Sequence, residues 1–469
     1  MPGSGSPLSI ICEKCWPDQI FSGGSLTTRM GVTDVLHSLR DRMTIRRRHV
    51  AAATVGNALE FYDFTTYAFY AVQIGKAFFP STSPLASLML SLATFGAGFV
   101  TRPIGAIVIG AYADRVGRRP AMMLTFLLMG LALLGLALCP SYASIGPLAP
   151  ILVVAARLVQ GFALGGEVGP TTAFLLEAAP PNRRGLYTAF QSISQNAAAL
   201  VAGLIGFALT SLLTADQVQT FGWRVALLVG ALVLPYGLWV RRTLPETLHA
   251  PDTVHGDPVA HQRLTGGQRR VILCSIAILC GGTVATYTQS YLTTYTSAIL
   301  HMKSNVAFTA TVTYGLAGIV SNITGALLSE RFGRRIVMIA PRVVLLAIIL
   351  PGFWLLAWNR DAATLTWMTA LMTICASTSG GAMMAAIAES LRKTSRAAIF
   401  SIVYAGPIVI FGGATQLFVT WLIHATGDVL APAYFYMAAT AVALVGMFGI
   451  RESAPRVQAS VQPSIEAHA

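Results

Sequence analysis

Charge is scarce in this chain. Only 11% of its 469 residues are Asp, Glu, Lys or Arg, against 54% apolar, too few to cover a soluble protein of this length. Acids are scarcer than bases, 19 against 32, leaving a net charge of +13. Cysteine is sparse as well. Cys12 and Cys15 form a lone Cys-x-x-Cys in a polar stretch, and Cys139, Cys274, Cys280 and Cys375 lie in or beside apolar ones, so no disulfide framework or zinc site is implied. His249, His255 and His261 share one polar segment but have no Cys partner and no compact metal spacing. A Walker loop and a Gly-x-Ser-x-Gly elbow are both missing, and with them the usual signs of nucleotide or acyl-transfer chemistry. No enzyme activity, metal or cofactor is expected.

What the chain has is length of apolar sequence. A hydrocarbon core about 30 Å thick takes roughly 20 helical residues to cross, and about twelve such stretches start near Val50, Leu85, Ala121, Pro147, Leu186, Gly222, Val271, Asn305, Ile336, Ala362, Ala397 and Val429. None alternates residue by residue as a barrel strand does. The expected fold is an all-α membrane protein of twelve transmembrane helices.

The positive charge follows topology. Arg46 to Arg48 precede the first span, and Arg115, Arg118 and Arg119 follow the second. Arg183 and Arg184 follow the fourth, Arg241, Arg242, Arg263, Arg269 and Arg270 the sixth, Arg331, Arg334 and Arg335 the eighth, and Arg392, Lys393 and Arg396 the tenth. The intervening loops hold little beyond Lys76, Arg224, Lys303 and Arg360. By the positive-inside rule both termini face the cytoplasm. A lipid bilayer, not nucleic acid, is the expected surroundings.

The two halves echo each other. Asp114-Arg115-Val116-Gly117-Arg118-Arg119 and Glu330-Arg331-Phe332-Gly333-Arg334-Arg335 occupy matching turns, and Glu177 precedes Arg184 by the interval that separates Glu389 from Arg396. This predicts two six-helix bundles, at 45–242 and 270–451, joined by a Pro- and Gly-containing cytoplasmic linker at 243–269. Residues 1–44, in which Met30 and Met43 are alternative starts, and 452–469 read as polar cytoplasmic tails.

An ionisable side chain inside a membrane costs a few kcal/mol and marks a pathway or a pair. Glu60 and Asp63 fall roughly 18 and 22 Å along a helix from Arg48, well inside the bilayer. Arg102 and Arg157 also fall within apolar spans. Arg157, Gln160, Leu164 and Glu167 recur on one helical stripe, as do Asn57 and Glu60 on the first span. Acids facing arginines can trade protons as ligands come and go, which makes Asp63, Glu60 and Glu167 the candidates for proton coupling. A buried structural ion pair is the alternative. Arg157 and Arg102 are candidate carboxylate binders, because guanidinium groups bond planar anions in pairs; Arg102, beside Pro103, could equally kink or gate its helix. Gln160, Asn57, Gln191 and Gln195 add uncharged donors, or else join helices to one another. Tyr287, Tyr291 and Tyr295 recur every fourth residue on the seventh span, as a hydroxyl ladder or an interhelical seam. Asp114, Arg118, Glu177, Arg184, Glu330, Arg334, Glu389 and Arg396 form a candidate cytoplasmic gate, with Asp114 reaching Arg184 or Arg183 and Glu330 reaching Arg396.

The paired turns resemble the signature loops of the major facilitator superfamily. Gly56-Asn57-Ala58-Leu59-Glu60-Phe61-Tyr62-Asp63-Phe64, Arg102-Pro103-Ile104-Gly105 and Arg157-Leu158-Val159-Gln160-Gly161 through Gly165-Gly166-Glu167 are similar to motifs of its metabolite:proton symporters. The run from Leu88 to Gly110, Ile145 to Pro150 and Arg184 to Gln195 resemble its citrate and tricarballylate members. The resemblance implies a monomer in a bacterial inner membrane, taking up a small organic (poly)carboxylate with protons by alternating access. Shikimate, oxoglutarate and proline or betaine carriers share the first-half motifs, so other metabolites remain alternatives, as does a non-transporting sensor.

Overall fold

In the computed structural model the described residues are 50–51, 54–59, 61–116, 118–165, 175, 179, 184–242, 266–391 and 396–453. Glu60, Glu167 and Glu177 lie outside them, as do the side chains of Asp114, Arg118, Arg184 and Arg396, most of the 243–269 linker, residues 1–44 and residues 454–469.

No strand occurs among the described residues. Helix α1 runs over 54–59 and 61–69 and continues as Ala71–Phe78; α2 is Pro84–Val100, resumed after Thr101 as Arg102–Val116. Then come α3 (Arg118–Leu138), α4 (Leu148–Gly165), α5 (Arg184–Leu212) and α6 (Trp223–Arg242). The second half supplies α7 (Gly266–Ala298), α8 (Ser304–Phe332), α9 (Arg334–Asn359) and α10 (Ala362–Ser390). Helix α11 is Arg396–Pro407, a π-turn Ile408–Gly412, then Gly413–Thr426, and α12 is Ala431–Gly449. Nine helices among the described residues, α2, α4, α5 and α7 to α12, are long and apolar enough to span a bilayer, and α1, α3 and α6 complete the twelve. Large apolar side chains such as Ile107, Val445 and Trp367 are exposed, as a lipid-facing surface requires.

Small residues decide how close these helices come. Where α2 crosses α4, a Cβ on Gly161 would collide with the Gly98 carbonyl and one on Gly165 with the Arg102 carbonyl. Backbone contact of this kind substitutes in lipid for the hydrophobic drive available in water. It also fixes the two helices that carry Arg102 and Arg157.

The halves meet along two seams. Helix α5 lies against α8, with Gly206 on Phe308, Gly203 on Thr311, Gly315 on Leu200 and Gly185 on Glu330. Helix α2 lies against α11, with Gly96 on Gly413. A third link joins α7 to α1, where the Thr294 hydroxyl donates to the Ala68 carbonyl at 3.1 Å. At the turn before α9, Gly333 has φ +101, a backbone region that disfavours a side chain.

Candidate functional site

In the first half Asp63 is 2% exposed and Arg157 is 1% exposed, yet the two form no ion pair. Gln160, one turn beyond Arg157 on α4, stands between them. Its amide nitrogen donates to Asp63 Oδ2 at 2.7 Å, and its amide oxygen accepts from Arg157 Nη1 at 2.7 Å. Asp63 Oδ1 and Arg157 Nε and Nη2 are buried without hydrogen-bond partners. The Arg157 guanidinium lies 3.6 Å from the centre of the Tyr67 ring, whose face offsets part of the cost of the unpaired charge.

Arg102 lies 4.0 Å from the Phe99 ring centre and 4.9 Å from that of Phe64, and Arg157 lies 5.9 Å from the same Phe64 ring. Phe64 is therefore shared by both cations. Phe95, Phe99 and Tyr287 close round it at 4.4, 4.9 and 6.5 Å between ring centres, so an aromatic cluster spans the two halves.

Beside this cluster is a cavity of about 110 Å³ between the halves. Arg102 of α2 and Gln195 and Asn196 of α5 line it from one side; Tyr287 and Gln289 of α7, Asn322 of α8 and Arg342 of α9 line it from the other. No Asp or Glu is among its described lining residues. The Tyr287 hydroxyl lies beside the Arg102 guanidinium, and Gln289 is held by the hydroxyls of Tyr436 and Thr373 at 2.7 and 2.8 Å.

The sequence-predicted residues therefore separate. Asp63, Gln160 and Arg157 form one buried group, while Arg102, Gln195 and Tyr287 reach the cavity. Gln191 donates to the Tyr404 hydroxyl across the halves at 3.1 Å. Asn57 is absent from the cavity wall, because its amide is committed to the Ser194 hydroxyl at 2.7 Å and to the Gln191 carbonyl. Tyr291 is absent too: its hydroxyl accepts from Thr420 of α11 at 2.7 Å, and that of Tyr295 donates to the Val429 carbonyl. The tyrosine face is thus a seam for two of its three members. Arg342 is the residue the sequence pattern did not single out; a lone arginine in the apolar run from Ile336 to Leu356 was its signal.

At the end of the bundle that carries the basic turns, Arg334 reaches Glu389 at 3.3 Å and Ser329 at 2.6 Å. Glu330 accepts from the Gly185 backbone N–H of α5 at 3.1 Å; the side chain of Arg396, its expected partner, lies outside the described residues. Glu452 caps α9 through the N–H groups of Arg334 and Arg335 at 2.8 and 2.9 Å, and Ser453 donates to Glu389 at 2.8 Å. The carboxylate at the α9 N-terminus fills two of the helix's four otherwise unpaired N–H donors and meets the positive end of the helix dipole.

A twelve-helix bundle of two halves with a polar cavity between them is the architecture of a secondary transporter. Residues 53–405 match the family model of the Major Facilitator Superfamily, and the chain belongs to that family. It is 36% identical to a citrate-proton symporter of Salmonella typhi over 83% of this chain and 90% of that one, and 36% identical to a citrate-proton symporter of Klebsiella pneumoniae over 87% and 93%. A proline/betaine transporter of Salmonella typhimurium is 27% identical over 89% of this chain and 86% of that one. Among solved structures, the partially occluded inward-open xylose transporter XylE from E. coli superposes with a TM-score of 0.72 at 15% identity, over 87% of this chain and 99% of that one. Fold and relatives alike are those of transporters rather than enzymes.

Proposed function

We propose that this protein is a proton-coupled symporter of a small organic polycarboxylate, such as citrate or tricarballylate, working by alternating access across the bacterial inner membrane with both termini in the cytoplasm. The observation that carries the reading is the cavity, which holds two arginines and no described acid. Of the two, Arg342 makes no ion pair among the described residues and has Nη1 buried and unfilled; such a donor is costly, and an incoming carboxylate relieves that cost with paired, charge-assisted hydrogen bonds. The 36% identity to citrate-proton symporters supports the same substrate class.

Asp63 is the proton carrier in this reading. Its free Oδ1 is where a proton would reside, and Gln160 passes the field of Arg157 to it without the full ion pair that would hold it permanently ionised. The contacts of Glu330 and Arg334 form a cytoplasmic latch that opens as one bundle rocks on the other.

Zwitterionic betaine is the second reading, because proline/betaine transporters are also relatives. The two cavity arginines repel its quaternary ammonium. The test is uptake of radiolabelled citrate into proteoliposomes, with and without an inward proton gradient, in competition with tricarballylate, oxoglutarate, shikimate and betaine. Gradient-driven uptake blocked by tricarballylate is expected. Uptake of betaine with no citrate uptake would reverse the assignment.

A further inference from the structure

Arg342 is 2% exposed and sits roughly 12 Å along α9 from Arg334, well inside the membrane span. Its Nε donates to the Ser379 hydroxyl of α10 at 3.2 Å, and that hydroxyl donates in turn to the Met338 carbonyl at 2.8 Å. Serine thus has its hydrogen committed to α9 and offers Arg342 a lone pair, which orients the guanidinium. Nη1 is buried and has no partner. Arg342 makes no ion pair among the described residues, yet it faces the same cavity as Arg102. The cations belong to opposite halves.

A structural arginine would be expected to have its donors filled by a carboxylate or carbonyls, because an orphaned buried donor of a charged group costs more than a neutral one. Arg342 instead carries an open donor beside a polar cavity. We propose that Arg342 is the second-half anchor for a substrate carboxylate, so that Arg102 and Arg342 hold two separate carboxylates of one ligand and the cavity selects di- and tricarboxylates over monocarboxylates and zwitterions. This rests on the polycarboxylate reading above and adds the residue that counts carboxylates. It also gives the ligand a mechanical role, since an anion bonded to both arginines bridges α2 and α9 and draws the halves together.

The experiment uses the full chain purified in detergent, with binding of tricarballylate, oxoglutarate and shikimate measured by calorimetry, independently of proton coupling. Arg342→Gln is expected to weaken tricarballylate binding at least tenfold while changing shikimate binding less than twofold, so that the preference between them collapses. Arg342→Lys keeps the charge without the planar fork and should fall between. If Arg342→Gln does not fold, Ser379→Ala keeps the guanidinium but releases it, and a several-fold loss for tricarballylate alone is expected. Wild-type protein that binds tricarballylate, with unchanged affinity in Arg342→Gln, or in both Arg342→Lys and Ser379→Ala, would overturn the role of Arg342 and leave the polycarboxylate reading standing. Wild-type protein that binds none of the three would remove both.

Discussion

Asp63 and Arg157 are held apart by a single amide. Each forms a 2.7 Å hydrogen bond to Gln160, and neither touches the other. A direct pair would lock the carboxylate in one protonation state, whereas the interposed amide leaves Asp63 Oδ1 open.

Asp63→Asn should therefore abolish proton-driven accumulation of citrate while leaving substrate exchange across the membrane. Counterflow in proteoliposomes with no pH difference separates the two. Loss of both processes in a well-folded variant would show Asp63 to be structural instead.

Gln160→Leu deprives two buried charged groups of their shared partner. Each orphaned group costs roughly 1–3 kcal/mol, so a clear fall in thermal midpoint is expected in a detergent melt. Gln160→Glu puts a carboxylate beside Asp63 and should shift the pH at which uptake is half-maximal.

On the tyrosine face of α7 the effects should divide by depth. Tyr287→Phe removes the hydroxyl that meets Arg102 beside the cavity and should raise the half-saturating substrate concentration. Tyr291→Phe loses only the bond from Thr420, costing about 1 kcal/mol of stability and leaving that concentration unchanged. Transport kinetics and melts on the same preparations check both.

The crossing of α2 and α4 has no room for a side chain. Gly161→Val would drive atoms into the Gly98 backbone, and a sharp loss of folded protein is expected in fluorescence-detected size-exclusion profiles. Gly135→Ala, where a Cβ meets nothing within 4 Å, should behave as wild type.

Glu452→Ala removes the carboxylate that caps α9. A cap is worth about 1 kcal/mol, so a modest drop in melting temperature is expected with uptake largely kept. A change in transport rate well beyond that drop would show the C-terminal residues to take part in the latch.

Much of this was written in local spacing. The repeated turns and the apolar runs reveal twelve helices in two halves, and the i, i+3 placement of Arg157 and Gln160 puts them on one stripe. Gln160 meeting Asp63 was not legible, because 97 residues separate them and only the packing of α1 on α4 joins them. Arg342 was hidden for a different reason. It lies only seven residues past the basic pair Arg334-Arg335, and the unbroken run of α9 from Arg334 to Asn359 carries it into the interior. Asn57 and Tyr291 carried the right chemistry at the right periodicity, but periodicity names a face and not what lies across from it.

The π-turn at Ile408–Gly412 gives α11 one residue more than a regular helix would hold over the same rise. Each residue of an α-helix turns it by about 100°, so this insertion sets two rotational phases within one rod. Tyr404 and Ile408 point to the cavity in the first phase, while Gly413 meets α2 and Thr420 meets Tyr291 in the second. Deleting a single residue there would restore an unbroken helix and turn one segment against the other by more than a quarter circle. The face that packs on α2 and α7 would then point where the cavity-lining face belongs, with every other residue of the protein left as it was.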